Sequence, residues 1–318
     1  MIKKEKKQDM TTTVIRKKHK INSYEMQLYT FMILPVIYIF IFNYIPMIGS
    51  IIAFKDYRYN LGIFGSKWVG FKNFEFFFKS DAFLRILRNT LVLNGLFIVF
   101  GVFFAVMLGI LLYHLKSRLS TKIYQTVLIT PNFISWVIAA YMVYAFLNVE
   151  HGTINVFLEK IGLQAIDWYA EPEFWPVILM ICNIWKHVGM DSVMYYAALM
   201  GIDSSLFEAA EVDGANRFQS VIHIMIPTIR PVITILTIMK IGAIFRADFG
   251  LFYSVTRNVG LLYETTDVVD TYIYRAMRDL GDMGMSSAVS LLQSIVGFVM
   301  VMGTNYIVKK VDPDSSLF

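Results

Sequence analysis

The residues best suited to chemistry sit inside an apolar stretch. Asn183, His187, Asp191 and Tyr195 follow one another at i+4 steps, which sets them on one stripe of a helix. Lys186 lies beside that stripe. Ionisable groups in a membrane are costly, so they face a bundle interior, a partner helix or water. Two readings stand side by side: a polar wall of a solute path, with Tyr195 or Tyr196 stacking on the solute, or an internal Lys186 to Asp191 ion pair that fixes packing. Trp136, Tyr141 and Tyr144 offer further aromatic surfaces, although aromatic residues in membrane helices also pack or mark interfaces. Lys240 and Arg246 flank the end of a later apolar run. Arg246 with Asp248 reads as an outer gate or a partner contact, and Lys240 as a snorkelling side chain.

Other chemistries find little support. His151, His187 and His223 lack the i, i+4 or carboxylate spacing of a metal site. The single cysteine, Cys182, lies in an apolar run, which leaves no disulfide framework and no cysteine metal site. No nucleophile, base and oxyanion arrangement can be recognised. The pattern G-x-x-x-x-G-K-[ST] is missing, so the chain does not cradle nucleotide phosphates by that route. The expectation is a protein that is not an enzyme, binds no cofactor or metal, and leaves its solute unchanged.

The elements that must carry these side chains are membrane helices. Of 318 residues, 56% are hydrophobic and 17% charged, an apolar excess too large for an ordinary soluble domain. Spanning a bilayer takes roughly 20 apolar residues as a helix. Candidate spans fall at about residues 28–54, 89–115, 123–147, 174–199, 222–246 and 285–308. The fourth is interrupted by Lys186 and Asp191, the fifth by Arg230 and Lys240. The first is too long for the apolar core of a cleaved signal and reads as a retained anchor. The fold expected is an all-α membrane protein with six transmembrane helices in one domain over residues 25–310. The net charge of +5 does not imply nucleic acid, because the basic residues cluster beside the spans.

Charge sets the orientation. The tail of residues 1–24 carries Lys3, Lys4, Lys6, Lys7, Arg16, Lys17, Lys18 and Lys20, which places it in the cytoplasm by the positive-inside rule. Lys116, Arg118 and Lys122 mark a second cytoplasmic loop. Glu150, Glu159, Asp167, Glu171 and Glu173 against Lys160 mark an outer one, and Lys309 and Lys310 return the chain to a cytoplasmic tail at 311–318. An odd number of crossings must lie between those last two points, so the two interrupted runs span together or not at all. The loop from Lys55 to Arg88 is basic yet assigned outside, which its length permits.

Six spans make residues 200–221 a cytoplasmic loop. Asp203, Ser204 and Ser205 are N-cap candidates, and Ser205 with Glu208 fits a capping box. Glu208 and Glu211 oppose the positive end of the helix dipole. Ala209, Ala210 and Ala215 allow close backbone approach. After Asp213, Gly214 permits a sharp change of direction, and Pro227 sits near the start of the fifth span, where a missing amide is tolerated. The outcome is a compact protruding hairpin; the alternative is an amphipathic helix lying on the bilayer.

The series Glu208, Ala209, Ala210, three residues, Gly214, nine residues, Ile224, one residue, Ile226 and Pro227 resembles the EAA signature of binding-protein-dependent permeases of ATP-binding-cassette importers. The usual leucine before the proline is Ile226 here. The resemblance covers roughly residues 25–318. Phe42 to Phe54 with Lys55 and Asp56, Pro131 to Trp136, Trp185 to Gly189, Thr265 to Tyr272 and Gly284 to Ala288 are similar to the complex-oligosaccharide branch. It implies a type I importer permease fold whose coupling helix uses Glu208, Ala209, Ala210, Asp213, Gly214 and Pro227 to engage a separate cytoplasmic ATPase dimer that binds ATP and magnesium. It further implies a second homologous permease subunit forming a heterodimer, an extracellular solute-binding lipoprotein, a carbohydrate substrate and a bacterial plasma membrane. On that reading Asn183, His187, Asp191, Tyr195, Tyr141 and Tyr144 wall the translocation path. An autonomous secondary transporter or channel, coupled to ions through Lys186, Asp191 and Lys240, is the main alternative. A membrane-embedded glycan enzyme is a third.

Overall fold

A computed structural model describes residues 23–313 and 316. The basic cluster before residue 23 lies outside the described residues, as do positions 314, 315, 317 and 318 of the C-terminal tail. The chain divides into two compact units, Met1–Gly49 and Ser50–Phe318.

The described part of the first unit is helical. It runs as Ser23–Ile39 (α1), a π-turn at Phe40–Tyr44 and a short helix at Ile45–Met47. Phe31, Leu34, Phe42 and Met47 are among its exposed apolar side chains. A helix that is apolar all round needs a hydrocarbon or protein surround, and Met26–Phe54 is long and apolar enough to cross a membrane.

In the second unit a small antiparallel ribbon pairs Lys55–Asp56 (β1) with Lys67–Trp68 (β2), Lys55 standing opposite Trp68. Helices follow at Lys72–Phe78 (α2), Phe83–Tyr113 (α3), Arg118–Ile129 (α4), Trp136–Leu147 (α5), Thr153–Lys160 (α6) and Trp175–Leu199 (α7). Beyond them lie Ser204–Val212 (α8), the long helical run Arg217–Gly242 (α9), Val269–Asp279 (α10) and Met283–Val311 (α11). Among the described residues, five helices are long and apolar enough to span a bilayer, and a sixth crossing needs the bent pair Arg118–Phe133 and Trp136–Leu147.

That pair corrects the straight third span expected at residues 123–147, because its two halves meet at 97°. The sequence supplies the reasons. Pro131 sits in a 3-10 turn at Thr130–Phe133 and gives no amide to the turn before it. Ser135 then starts a new helix, its side chain accepting from the Ile138 amide at 3.3 Å. The fifth crossing also differs from residues 222–246: it begins at Arg217 and stops at Gly242, which leaves Arg246 beyond the helix.

Close packing of α3 on α7 forms the spine of this unit. Ala105, Val188, Tyr195, Leu199, Met225 and Ile229 form one buried cluster there. Small residues let the backbones approach, as membrane helix interfaces require. A Cβ added at Gly109 would stand 3.1 Å from the Ser192 carbonyl oxygen, and one at Gly189 would collide with the Leu128 carbonyl of α4.

Candidate functional site

Two features emerge, a capped hairpin between α7 and α9 and a polar cavity among α3, α7 and α9. The hairpin is built from local hydrogen bonds. Asp203 is the N-cap of α8, its Oδ1 accepting from the Ser205 amide at 2.9 Å. This bond draws the Asp203 carboxyl below the usual carboxylate range. Of the three N-cap candidates Asp203 takes the cap, two residues earlier than the Ser205 to Glu208 box would place it. At the far end Gly214 has φ +80°, and the Ala215 amide donates to the Ala210 carbonyl at 2.8 Å. A left-handed residue followed by that bond is how helices commonly stop. A reciprocal box between Asn216 and Gln219, at 2.9 and 2.7 Å, then starts α9.

No residue of α8 is buried, so Glu208, Ala209 and Ala210 all lie on a free-standing element. Val212 is 88% and Phe218 71% exposed, whereas Phe207 turns inward against Tyr113. A rigid hairpin that displays apolar side chains is a surface for another chain. Pro227 stands in the first turn of the α-helical stretch Ile226–Gly242, as expected, although the continuous helical run α9 begins ten residues earlier at Arg217. A π-turn at Val221–Met225 precedes it. The wider turn adjusts the ladder around a residue with no amide to donate to the carbonyl four back.

The cavity, about 330 Å³, is walled by Asn94, Asn183, His187, Asp191, Lys240, Arg246 and Asp248 among others. Asp191 Oδ2 and Lys240 Nζ form an ion pair at 2.7 Å that ties α7 to α9. Lys240 is therefore held within the bundle and does not snorkel. Lys186 points elsewhere: its Nζ donates to the carbonyls of Pro131, Asn132 and Ile134 at the bend between α4 and α5 and lies 5.1 Å from the centre of the Trp136 ring. The Lys186 to Asp191 pair read from the sequence does not form. A broken helix exposes carbonyls that hydrocarbon cannot satisfy, and an ammonium meets several at once.

Arg246 and Asp248 likewise do not pair. Asp248 Oδ2 accepts from Trp136 Nε1 at 2.6 Å and lies 3.4 Å from His187 Nε2. Burial raises the Asp248 carboxyl, but the bonds from His187 and Trp136 outweigh it and hold it below the usual range. Arg246 reaches the Ser294 hydroxyl at 3.4 Å.

Tyr195 leaves the expected wall. Its side chain is buried against α3, with 1% of the residue exposed, and it does not line the cavity that Asn183, His187 and Asp191 share. Each i+4 step overshoots a full helical turn by about 40°, so three steps carry Tyr195 roughly 120° from Asn183. Tyr141 and Tyr144 belong to a second cavity of about 250 Å³, which they line with Tyr253, Arg257 and Asn258. Sequence reading thus gathered in one path residues that the fold assigns to two cavities and a core. It also missed Asn94, which lies in an apolar helix and donates to the Ile244 carbonyl at 2.7 Å. A buried amide in such a run, like Asn89 one turn and a half before it, is the signal that marks it.

Membrane helices around a polar interior, with a capped lever between two of them, define a transport permease. The chain belongs to the family described as binding-protein-dependent transport system inner membrane component, which residues 98–313 match, and it is a multi-pass membrane protein. It is 35% identical to protein LplB of Bacillus subtilis (strain 168), over 90% of each chain. It is also 35% identical to the polygalacturonan/rhamnogalacturonan transport system permease protein YteP of the same organism, over 98% of this chain and 94% of that one. Among solved structures, a chain of a bacterial ABC transporter involved in the import of the acidic polysaccharide alginate superposes with a TM-score of 0.82. It shares 34% identity and covers 91% of this chain and 97% of its own. The fold is therefore that of an ABC importer permease.

Proposed function

We propose that this chain passes a carbohydrate, specifically an oligosaccharide, across a bacterial plasma membrane as one permease of a heterodimer. The solute arrives on an extracellular solute-binding lipoprotein, and a separate cytoplasmic ATPase dimer, which binds ATP and magnesium, drives the cycle. Both termini and the hairpin face the cytoplasm. The observation that carries this reading is the hairpin, with Asp203 and Asn216 as caps, Gly214 in the left-handed conformation, and Glu208 to Asp213 free of contacts that would bury them. It joins α7 directly to α9, the two helices tied by Asp191 and Lys240, so force on the hairpin reaches the polar cavity through rigid elements. The sugar assignment rests on the relatives, one named for polygalacturonan and rhamnogalacturonan transport and one solved as an alginate importer. Hydroxyl-rich ligands suit a cavity of amides, imidazole and paired charges. On this reading Asn183, His187 and Asp191 face the solute.

Replacing Gly214 by valine tests the coupling role. An added Cβ meets no atom within 4 Å, so the effect comes from φ +80°, which a β-branched residue resists. In the reconstituted complex the expected result is weaker assembly with the ATPase, or substrate-stimulated hydrolysis lowered about tenfold, the equivalent of about 1.4 kcal/mol. Normal values of both would sink the coupling assignment. Uptake of a panel of labelled oligosaccharides by a deletion strain carrying the gene tests the solute class.

A further inference from the structure

The second cavity has a chemistry of its own. We infer that it is a saccharide subsite that takes a carboxylate-bearing sugar ring, with Arg257 as its anion-binding group. This rests on the carbohydrate reading above and narrows it to acidic glycans.

Three tyrosines, Tyr141, Tyr144 and Tyr253, wall the cavity together with Ser254 and Asn258, while Val137 and Ala140 supply apolar lining. Aromatic rings with polar tips beside hydroxyl and amide groups match a sugar, which has apolar C–H faces and a polar rim. At about 250 Å³ the space falls just below the range of drug-sized ligand pockets, a size for a single ring.

Arg257 is the only charged residue in the lining. Its guanidinium lies 4.2 Å from the centre of the Tyr144 ring, and among the described residues no carboxylate forms an ion pair with it. Arg275, which bonds Asn258, is paired with Asp267, whereas Arg278 directs its guanidinium to the hydroxyls of Tyr253 and Tyr274 at the cavity's edge. A guanidinium stacked on an aromatic ring keeps its N–H edge free, and that planar fork fits a carboxylate with two parallel hydrogen bonds.

The backbone gives independent support for the positioning. Arg257 and Asn258 have φ of +54° and +50°, two consecutive non-glycine residues in the left-handed region, where glycine would sit without strain. Asn258 is fixed there by the Tyr263 hydroxyl, which donates to its Oδ1 at 3.0 Å, and by Arg275 Nη1 at 3.3 Å. Asn tolerates this region, but Arg257 holds it at a cost that a glycine would not bear, which marks the arginine side chain as what the site uses. The two cavities also draw on neighbouring elements. Trp136, which holds Asp248, and Tyr144 stand eight residues apart on α5, about 12 Å along the helix axis, and the segment from Asp248 to Asn258 borders both.

Ligand-observed saturation-transfer NMR on the purified permease and ATPase complex, without its binding protein, tests the inference. The probes are oligogalacturonate and the same oligomer with its carboxyl groups reduced to alcohols. Wild-type complex is expected to bind the acidic form about tenfold or more tightly than the reduced one, the effect of one charge-assisted bond pair. Arg257→Gln should remove that difference and Arg257→Lys keep part of it. Tyr141→Ala, at a side chain that is 71% exposed and so safe for folding, should weaken both probes alike. Equal binding of the two probes by wild type, or a preference that survives Arg257→Gln, overturns the inference. So does absence of binding by either probe, and in that case the carbohydrate reading still stands or falls on the uptake panel.

Discussion

The hairpin and the polar cavity are built on opposite principles. The hairpin holds its shape through hydrogen bonds between residues two to five positions apart, from Asp203 with Ser205 to Ala210 with Ala215 and Asn216 with Gln219. The cavity is closed by partners that lie far apart in the chain: Asp191 with Lys240 across 49 positions and Trp136 with Asp248 across 112. An element stiffened from within moves as a body when pushed. A cavity held by cross-helix pairs changes shape when its helices shift. The contrast places rigidity at the hairpin and deformability at the cavity, which is the division of labour that the proposed coupling of an ATPase to a solute path needs.

Three substitutions break or sharpen that contrast. The largest effect is expected from Gly189→Ala, where the added Cβ runs into the Leu128 backbone and neither helix yields cheaply. A loss of about 3 kcal/mol, the upper end of overpacking costs, is expected, seen as a lower melting temperature and a reduced yield of monodisperse protein. A wild-type melting curve would show that the cavity scaffold is far more yielding than its packing implies. Next is Asp191→Asn, which strands Lys240. Breaking a buried pair costs more, but these side chains are 23% and 35% exposed, so screening brings the expected loss to about 1–2 kcal/mol. The exchange Asp191→Lys with Lys240→Asp should recover more than half of it; a double variant no better than the single one would show that the pair does not hold the helices. The smallest effect belongs to Asn216→Ala, about 1 kcal/mol for a lost cap. Hydrogen exchange should quicken over residues 214–221 and stay unchanged around Lys240, and a change at both places would erase the distinction between lever and cavity.

The same distinction decides what could be read from the sequence. Apolar runs and charge counts lead to an all-α membrane protein, and Gly214 announces a left-handed turn because little else tolerates one. Asp203 and Asn216 were within reach of capping rules, yet three adjacent candidates at Asp203, Ser204 and Ser205 left the choice to backbone geometry. The bend at Pro131 carried its own signals, proline followed by a serine cap, but the lack of any charge from residue 123 to 149 masked them. Partner choice was out of reach. Lys186 and Asp191 are near neighbours in sequence and on one helix, but the carbonyls at the bend and Lys240 compete for them from other helices. Arg257 gave no signal at all, since nothing in Arg-Asn marks a strained turn.

Lys186 also bears on how the protein is made. The carbonyls it satisfies belong to the break between α4 and α5, and hydrocarbon offers them no substitute. The third crossing therefore cannot reach its final form in the bilayer alone, because its completion waits for a side chain that arrives with α7. In the folded protein one lysine fastens residues 118–147 to residues 175–199.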